Sequence, residues 1–555
     1  MSVKEYKSNS SYVRDFFSGH NMLSRLICKY PRRSENETSL VRDLQASVSG
    51  FMGRYKDQFR QFDQNAEFSK DFFDGIKQLG LFGLIIPEEY GGLGLTSWGY
   101  SKIIETVTWF DPATAVMLGA HSSIGLRGIL MYGTHDQKKR YLPELASGEK
   151  IACFCLTEPK AGSDAASIET KAIKNENFWI LNGQKIWITN SCFADVFTVF
   201  ARTDGQNGLI SAFIVEKEFK GVSVGLPEDK MGIRASKTAS VYFDNVRVPR
   251  ENLLGEEGRG FKVAMTILNN GRTGLAGGAV GGMKRMYSMA LEHATTRVQF
   301  GKPLTDFDII KEKLSRMQAK IFAVEAMIDV VSDMIDQNYP DCAMEAAILK
   351  VFATESLWEA CDEALQIAGG NGYMKEFEYE RFLRDARINR IFEGSNEILR
   401  LFIALNGFKA LAERFKNLRS VSKFYEDPIK GFGLLANYFL GPTSKIDCVF
   451  VEDLASYVQH LNKLQKGIFQ LFRKIAVRES GNIVGKQMIS LRVSEITMWL
   501  FVLACSVARL NSFFDKHKIP LLDYLFHIGT SCIETSIKLL AKSETDLVRS
   551  VRHDF

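Results

Sequence analysis

The hydrophobic pattern along this chain changes period more than once. From about Ser39 to Gly148, apolar residues recur at i, i+3 and i+4 in LVRDLQASVSGFMGRYKDQF, FSKDFFDGIKQLG and WGYSKIIETVTWF, which predicts amphipathic helices. Pro87 and the run Gly91-Gly92-Leu93-Gly94 punctuate that stretch with loops. Between Ile151 and Val248 the pattern shortens to FWILNGQKIWIT, DVFTVFART, LISAFIVEK and ASVYFDNVRV. These runs are bounded by Asn-Gly and Asp-Gly pairs such as Asn182-Gly183 and Asp204-Gly205, and they predict the strands of a small antiparallel domain. After Gly260 the helical period returns over Phe261–Arg297, Ile309–Gln337 and Asp341–Ala368, long segments with short joints that predict a bundle.

The pattern thus predicts a mostly α fold with a central β domain. Its segments are a leading arm at 1–38, an N-terminal helical domain at 39–150, the β domain at 151–260, a helical bundle at 261–410 and a helical extension at 411–555. The arm is polar and broken at Pro31-Arg32-Arg33, so it is expected to be irregular, wrapped or mobile. The main stripes of the extension are GLLANYFLG, VEDLASYVQHLNKLQKGIFQLFRKI and LRVSEITMWLFVLACSVARL.

Composition narrows the function classes. With 46% hydrophobic and 24% charged residues the chain is ordinary globular protein. Its net charge of +5, from 70 basic and 65 acidic residues, makes no electrostatic case for nucleic acid. The cysteines, at 28, 153, 155, 192, 342, 361, 448, 505 and 532, contain no C-x-x-C pair, so neither a disulfide framework nor a zinc site is expected. They read as buried thiols in a reducing compartment. Glu5 and Asp15, with no continuous apolar run nearby, argue against a secretory or transit leader and favour a bacterial cytoplasm, or the mitochondrial matrix side in a eukaryote. The apolar run around Met498–Ala504 is short of the roughly 20 residues a bilayer span needs, and no transmembrane helix is expected.

Candidate chemistry concentrates in five places. RINRIFEGSNEILR sets Glu393 between Ile391, Phe392 and the turn-forming Gly394, with Ser395 and Asn396 placed to cap the next helix. Glu393 there is either a base in an apolar setting or an exposed glutamate at a helix boundary. FCLTEPKAGSD, Phe154–Asp164, offers hydroxyls and loop N–H groups for an anion cradle, and an ordinary surface turn has the same composition. In KIWITNS, Trp187 is either core or a platform, and Thr189 two residues on shares its strand face. Arg297 in RVQFG either answers a helix C-terminus or meets a phosphate. QIAGGNGY follows a helix, so it is no Rossmann fingerprint.

The set FCLTEPKAGSD, KIWITNS, RVQFGKPL, ALQIAGGNGY and RIFEGSNEILR, in this order, resembles the acyl-CoA dehydrogenase family over about residues 40 to 410. The FFSG…KYP arm and the C-terminal extension resemble its very-long-chain branch. The resemblance implies FAD held between the β domain and the bundle, and conversion of a long-chain acyl-CoA to the trans-2-enoyl-CoA. It also implies a homodimer and electron-transfer flavoprotein as electron acceptor. Glu393 matches the base that takes the α-proton while hydride leaves the β-carbon for flavin N5. Phe154, Cys155, Leu156, Thr157, Gly162 and Ser163 match the isoalloxazine and pyrophosphate contacts, with Ser163 also reaching CoA. Trp187, Ile188 and Thr189 match the ring's flank. Arg297, Phe300, Gln366 and Gly370 match the adenosine end reached from a neighbouring subunit, and Ser395, Asn396 and Glu397 the last FAD contacts. Asn269 and Arg272 match contacts to the CoA portion, and Phe392 and Gly394 flank the substrate beside the base. Met117–Gly128 matches the floor of the acyl pocket, where Gly119, Ala120 and Gly125 leave room for a long chain. Lys160, Ser191 and Ser395 depart from the family's usual residues, and Lys160 is expected to face solvent. An oxygen-using oxidase and a scaffold retaining the fold are the rival functions. The stripe KGIFQLFRKIAVR either lies on a membrane surface or packs against the protein.

Overall fold

The computed structural model describes residues 10–203, 208–419, 449–479 and 483–541. The stripe GLLANYFLG, the Asp204-Gly205 pair and Cys448 lie outside them. In chain order the elements begin with helices α1 (Tyr12–Phe17), α2 (Met22–Cys28), α3 (Glu35–Arg54), α4 (Phe59–Asn65), α5 (Lys70–Gln78), α6 (Ser97–Phe110) and α7 (Pro112–Gly119). A π turn, Ala120–Gly125, leads into α8 (Arg127–Tyr132) and α9 (His135–Ser147). Strands β1 (Ala152–Cys155), β2 (Lys171–Lys174), β3 (Phe178–Thr189), β4 (Val196–Thr203), β5 (Ile210–Glu216), β6 (Val222–Val224), β7 (Thr238–Pro249) and β8 (Leu253–Leu254) follow. Helix α10 (Gly260–Thr296) precedes a hairpin of β9 (Val298–Gln299) and β10 (Lys302–Pro303). The chain continues through α11 (Asp308–Asp336), α12 (Ala343–Ala368), α13 (Gly370–Tyr373), α14 (Tyr379–Arg387) and α15 (Asn396–Arg419). The extension adds α16 (Ala455–Arg478), α17 (Gln487–Ser512) and α18 (Ile519–Ala541). Two compact units result: a sheet-bearing unit, Arg33–Arg297 with Leu357–Gly394, and an extension-bearing unit, Met1–Arg32 with Val298–Ser356 and Ser395–Phe555.

In the sheet-bearing unit the strand order is β6-β7-β3-β2-β4-β5-β8, with β1 beside β4. The sheet is mixed, not purely antiparallel: β1 and β2 both run parallel to β4. The loop 156–170 and the β2–β3 pair supply the crossover that parallel neighbours need. Strands β4 and β5 are apolar along both faces because both faces are buried. Val196, Phe200, Ile210, Ala212 and Ile214 join the helical core, while Phe197, Val199, Phe213 and Val215 join a second core with β3 and β7. Asn182-Gly183 is not a turn. Strand β3 runs through it with a register shift against β7, and a Cβ on Gly183 would lie 2.4 Å from the Thr170 hydroxyl.

Helices α6 and α10 approach backbone to backbone. A Cβ on Gly277 would lie 2.3 Å from the Ser101 carbonyl oxygen, and one on Gly281 2.1 Å from that of Glu105. The π turn is held by a buried histidine. His121 Nδ1 accepts the Ala152 N–H at 2.9 Å and Nε2 donates to the Leu145 carbonyl at 3.1 Å. This fixes one neutral tautomer.

In the extension-bearing unit the arm from residue 10 onward is helical, not irregular. Tyr12, Val13, Phe16, Phe17, Leu23 and Leu26 are buried, and Glu345 of α12 accepts from the Ser11 hydroxyl at 2.7 Å and the Val13 N–H at 2.9 Å. The stripe of α16 is buried by the protein itself: Phe472 stacks on Phe17 at 5.1 Å and meets Phe16 and Phe408. By length and composition α17 is apolar enough to cross a membrane, but 72% of its apolar window is buried within the fold. Near its end, Arg509 pairs with Glu325 at 2.9 Å. Helix α18 has no counterpart among the stripes read from sequence. Among the described residues the expectation of buried thiols holds for Cys153, Cys155, Cys361 and Cys505 but fails at Cys192 and Cys342, which are half-buried, at Cys532, exposed on α18, and at Cys28, which is disulfide-bonded.

Burial pushes the His121 imidazole down to about 4 from its ordinary 6.5. The unfolded chain therefore binds this proton first, and the stability tied to neutral His121 is present above pH 6.5 and lost as pH falls toward 4, a loss of about 3 kcal/mol. Glu345 and Asp385, each raised to about 7 by burial, act in the opposite sense. The change in urea-unfolding free energy from pH 7 to pH 4.5 should thus be less favourable in the wild type than in His121→Gln, which cannot take up the proton.

Candidate active site

Glu393 sits at a break in the helical path. From α14 a short 3-10 turn, Ile388–Arg390, leads to Ile391 and Phe392, whose N–H groups both donate to the Ile388 carbonyl, at 2.8 and 3.1 Å. Glu393 and Gly394 then take φ values of 55° and 90°. Glycine does so freely, whereas a side-chain-bearing residue there costs about 1–3 kcal/mol and is found where the surroundings impose it. Arg272 of α10, 6% exposed, does the imposing: Nη2 donates to the Glu393 carbonyl at 3.4 Å and Nη1 to Asn269 Oδ1 at 2.6 Å. Behind them the Tyr100 ring packs where a Cβ on Gly274 would come within 2.4 Å, and Ser123 donates to the Gly271 carbonyl at 3.3 Å. Burial pushes the Tyr100 phenol upward against Arg127 and Ser123, and the charge of Glu393 adds a smaller upward push.

The apolar setting expected for Glu393 is only partly formed by its sequence neighbours. Phe392 and Glu393 are half-buried, but Ile391 is 51% exposed, because the 3-10 turn directs it outward. Helix α10 and Tyr100, contributed from far along the chain, supply the backing instead.

In the β domain a bulge in β3 re-aims its side chains. The register against β7 shifts between Lys185 and Ile188, with Trp187 at φ 58°. Trp187 is 64% exposed and Ile188 is buried, so indole and Thr189 lie on the face opposite Ile188. Thr189 and Thr238 bring their hydroxyls to 3.3 Å. The loop after β1 is tied to this strand, since the Ile186 N–H donates to the Thr157 carbonyl at 2.9 Å. Lys185, fully buried, donates to Leu156 O at 3.1 Å and to Glu158 Oε1 at 2.6 Å. Glu158 in turn accepts the N–H groups of Glu169 and Thr170. Burial lowers the Lys185 ammonium. It would raise the Glu158 carboxyl, but the Lys185 charge together with the hydrogen bonds from Lys185, Thr170 and Glu169 holds it low. Sequence reading missed this pair because a lysine in an alternating strand reads as a solvated face. Gly162 and Ser163 are exposed, with open space where a Gly162 Cβ would stand. Cys155, Leu156 and Ile188 bury their side chains and present only backbone, while Phe154 is half-buried beside Phe200. Lys160 faces solvent, 3.3 Å from Glu169, and Ser191 serves the turn after β3 by donating to Ile188 O at 2.7 Å. An exposed indole, a hydroxyl on its face and an open Gly-Ser loop fit a planar, phosphate-bearing group.

The acyl-side positions divide. A Cβ on Gly119 meets nothing within 4 Å, whereas one on Gly125 would lie 2.6 Å from the Ala120 carbonyl oxygen, so Gly125 is small for packing against β1 and not to lengthen a pocket. Ala120 is buried. Asn190, at the end of β3, donates to the Met117 carbonyl at 2.9 Å and so ties that strand to α7. Arg297, Gln366 and Gly370 are exposed.

In the extension-bearing unit, Phe300 is 94% exposed at the tip of the β9–β10 hairpin, where Phe300 and Gly301 both have positive φ. Ser395 caps α15 by accepting the Ile398 N–H at 3.4 Å. Asn396 turns inward: it accepts from Lys350 at 2.8 Å and donates to Thr354 and Glu355, so its side chain is committed to α12. Glu397 is exposed.

Family models match the chain in succession: acyl-CoA dehydrogenase N-terminal domain over 38–149, middle domain over 153–246 and C-terminal domain over 258–407. The mitochondrial very long-chain specific acyl-CoA dehydrogenase of Rattus norvegicus is 45% identical over 447 residues, 79% of this chain and 67% of its own length. The acyl-CoA dehydrogenase of Bacillus anthracis, solved with FAD, superposes with a TM-score of 0.80 at 31% identity, covering 97% of this chain and 92% of that one. Butyryl-CoA dehydrogenase of Megasphaera elsdenii gives 0.64 at 36% identity and covers 67% of this chain and 98% of that one. The extension is therefore absent from the shorter enzyme and shared with the B. anthracis one. With three consecutive domain models in register, the chain belongs to the acyl-CoA dehydrogenase family of FAD-dependent oxidoreductases, and it is similar to the very-long-chain members.

Proposed function

We propose that this chain oxidises long-chain acyl-CoA to the trans-2-enoyl-CoA, with Glu393 as the base and electron-transfer flavoprotein as the partner that takes the electrons. The observation that carries the reading is the imposed conformation of Glu393: a left-handed glutamate whose carbonyl is held by a buried arginine. Its position is set by residues 121 positions away, which a solvated surface glutamate does not require.

The α-C–H of a thioester is a weak acid. Abstraction needs a carboxylate fixed within reach and hydrogen bonds to the thioester carbonyl. Arg272 and Asn269 fix the backbone at Glu393, and the N–H of Glu393 is the donor we assign to the thioester oxygen. The FAD-holding residues we assign are Thr157, Gly162, Ser163, Trp187 and Thr189, with backbone from Cys155, Leu156 and Ile188. FAD supplies, when bound, the acceptor for the β-hydride. Trp187 and Thr189 orient it from one strand face, and Lys185–Glu158 keeps that strand and the Thr157 loop in fixed relation. The exposed hairpin tip at Phe300, with Arg297, Gln366 and Gly370, supports a homodimer in which each copy completes the other's cofactor site.

Two measurements test this reading. Anaerobic mixing with palmitoyl-CoA should bleach the visible flavin band in the wild type, while Glu393→Gln should slow bleaching by about 10⁴-fold, the upper range for a lost general base. Undiminished bleaching in the variant removes Glu393 from the role. For chain length, Gly119→Leu is accommodated by open space at a helical φ, so the variant should fold and keep six-carbon turnover while losing turnover of a sixteen-carbon acyl-CoA. Equal loss for both substrates would show that Gly119 does not line the acyl path.

A further inference from the structure

Among the described residues, Ile233 is the β-branched one held at positive φ, 46°, and it is 5% exposed. That region disfavours β-branched side chains, so something must hold it there. Its N–H donates to Oδ1 of Asp385, a carboxylate on α14 that is 1% exposed. The neighbouring Gly232 lies directly on the α14 backbone, where a Cβ would come within 2.5 Å of the Arg384 carbonyl. Arg384 donates to the Met231 carbonyl at 3.0 Å and to both carboxylate oxygens of Asp63, at 3.2 and 2.8 Å. Arg234 donates to the Asp63 carbonyl at 3.0 Å.

The other end of the same loop reaches the cofactor-facing strand. Lys230 Nζ donates to the Ser236 carbonyl and, at 3.1 Å, to the Thr238 hydroxyl, which stands 3.3 Å from that of Thr189. The Asn190 N–H donates to the Lys237 carbonyl at 2.9 Å. The segment 228–237, which runs into β7 at Thr238, is therefore a strut between the Thr189 edge of β3 and α14. Helix α14 passes directly through Ile388–Arg390 into Glu393.

We propose that Asp385 is a positioning residue of the reaction: by holding the Ile233 N–H it sets the loop that spaces the Thr189 edge from the helix leading to Glu393. This rests on the flavin reading, in which Thr189 faces the ring. Asp385 also feels the charge of Arg381, buried on the same helix and paired with Asp111 at 2.7 Å.

The test compares wild type, Asp385→Asn, Asp385→Leu, Thr238→Val, Lys230→Met and the double variant Ile233→Gly with Asp385→Leu. The readouts are the visible flavin spectrum, FAD affinity by fluorescence quenching, and melting temperature. Asp385→Leu, Thr238→Val and Lys230→Met should each shift the flavin band and weaken FAD by about ten-fold, roughly the worth of one net hydrogen bond. Asp385→Asn, which keeps an acceptor, should do less. Ile233→Gly should recover most of the loss in Asp385→Leu, since glycine adopts this φ unaided. If Asp385→Leu does not fold, Lys230→Met decides, because it cuts the loop's bonds to the Ser236 carbonyl and the Thr238 hydroxyl while leaving Thr189, Thr238 and α14 in place. A lowered melting temperature with band and FAD affinity unchanged makes Asp385 a brace only and overturns the proposal. A wild type that binds no FAD overturns instead the reading beneath it.

Discussion

The close approach of α10 to α6 is the constraint on which the site depends. No side chain larger than hydrogen fits at Gly277 or Gly281, where the α6 backbone itself occupies the space. That approach brings the Tyr100 ring against Gly274 and sets Arg272, two residues earlier, toward the Glu393 carbonyl. A methyl at either glycine would push two long helices apart, and the left-handed turn at Glu393 would lose the donor that holds it. The base is thus positioned by main-chain proximity far from it in sequence.

Around that contact two buried ion pairs tie the unit together. Lys185 with Glu158 locks the loop after β1 to the bulged strand, and Arg381 with Asp111 locks α14 to the start of α7. Each pair has additional hydrogen bonds to backbone or side chains, the condition under which a buried ion pair is tolerated. Such pairs add little net stability over apolar substitutes, but removing one partner leaves a buried charge uncompensated. They specify register more than they strengthen the fold.

The extension follows a different logic. Its stripes are consumed by the protein: Phe472 lies among Phe16, Phe17 and Phe408, and α17 is buried along most of its apolar window. An amphipathic stripe with flanking lysines has the same composition whether it meets lipid or protein. Here the partners are α1, whose phenylalanines were read from sequence as part of an irregular arm, and α15.

The sequence by itself determined the succession of helical, strand and helical segments, the extents of α10, α11 and α12 to within a few residues, the cap at Ser395 and the motifs that mark the family. These are local properties: a 3.6-residue or two-residue period and a capping hydroxyl are written within one or two turns of chain. Tertiary structure alone decided which side chains those segments spend inward. It buried Lys185 and Asn396, turned Ile391 and Trp187 outward, ran β3 through Asn182-Gly183, and separated Gly119, which faces open space, from Gly125, which meets backbone. Each outcome depends on a partner far along the chain, Glu158 for Lys185, Lys350 for Asn396, β7 for the bulge at Trp187, and no local pattern encodes that distance.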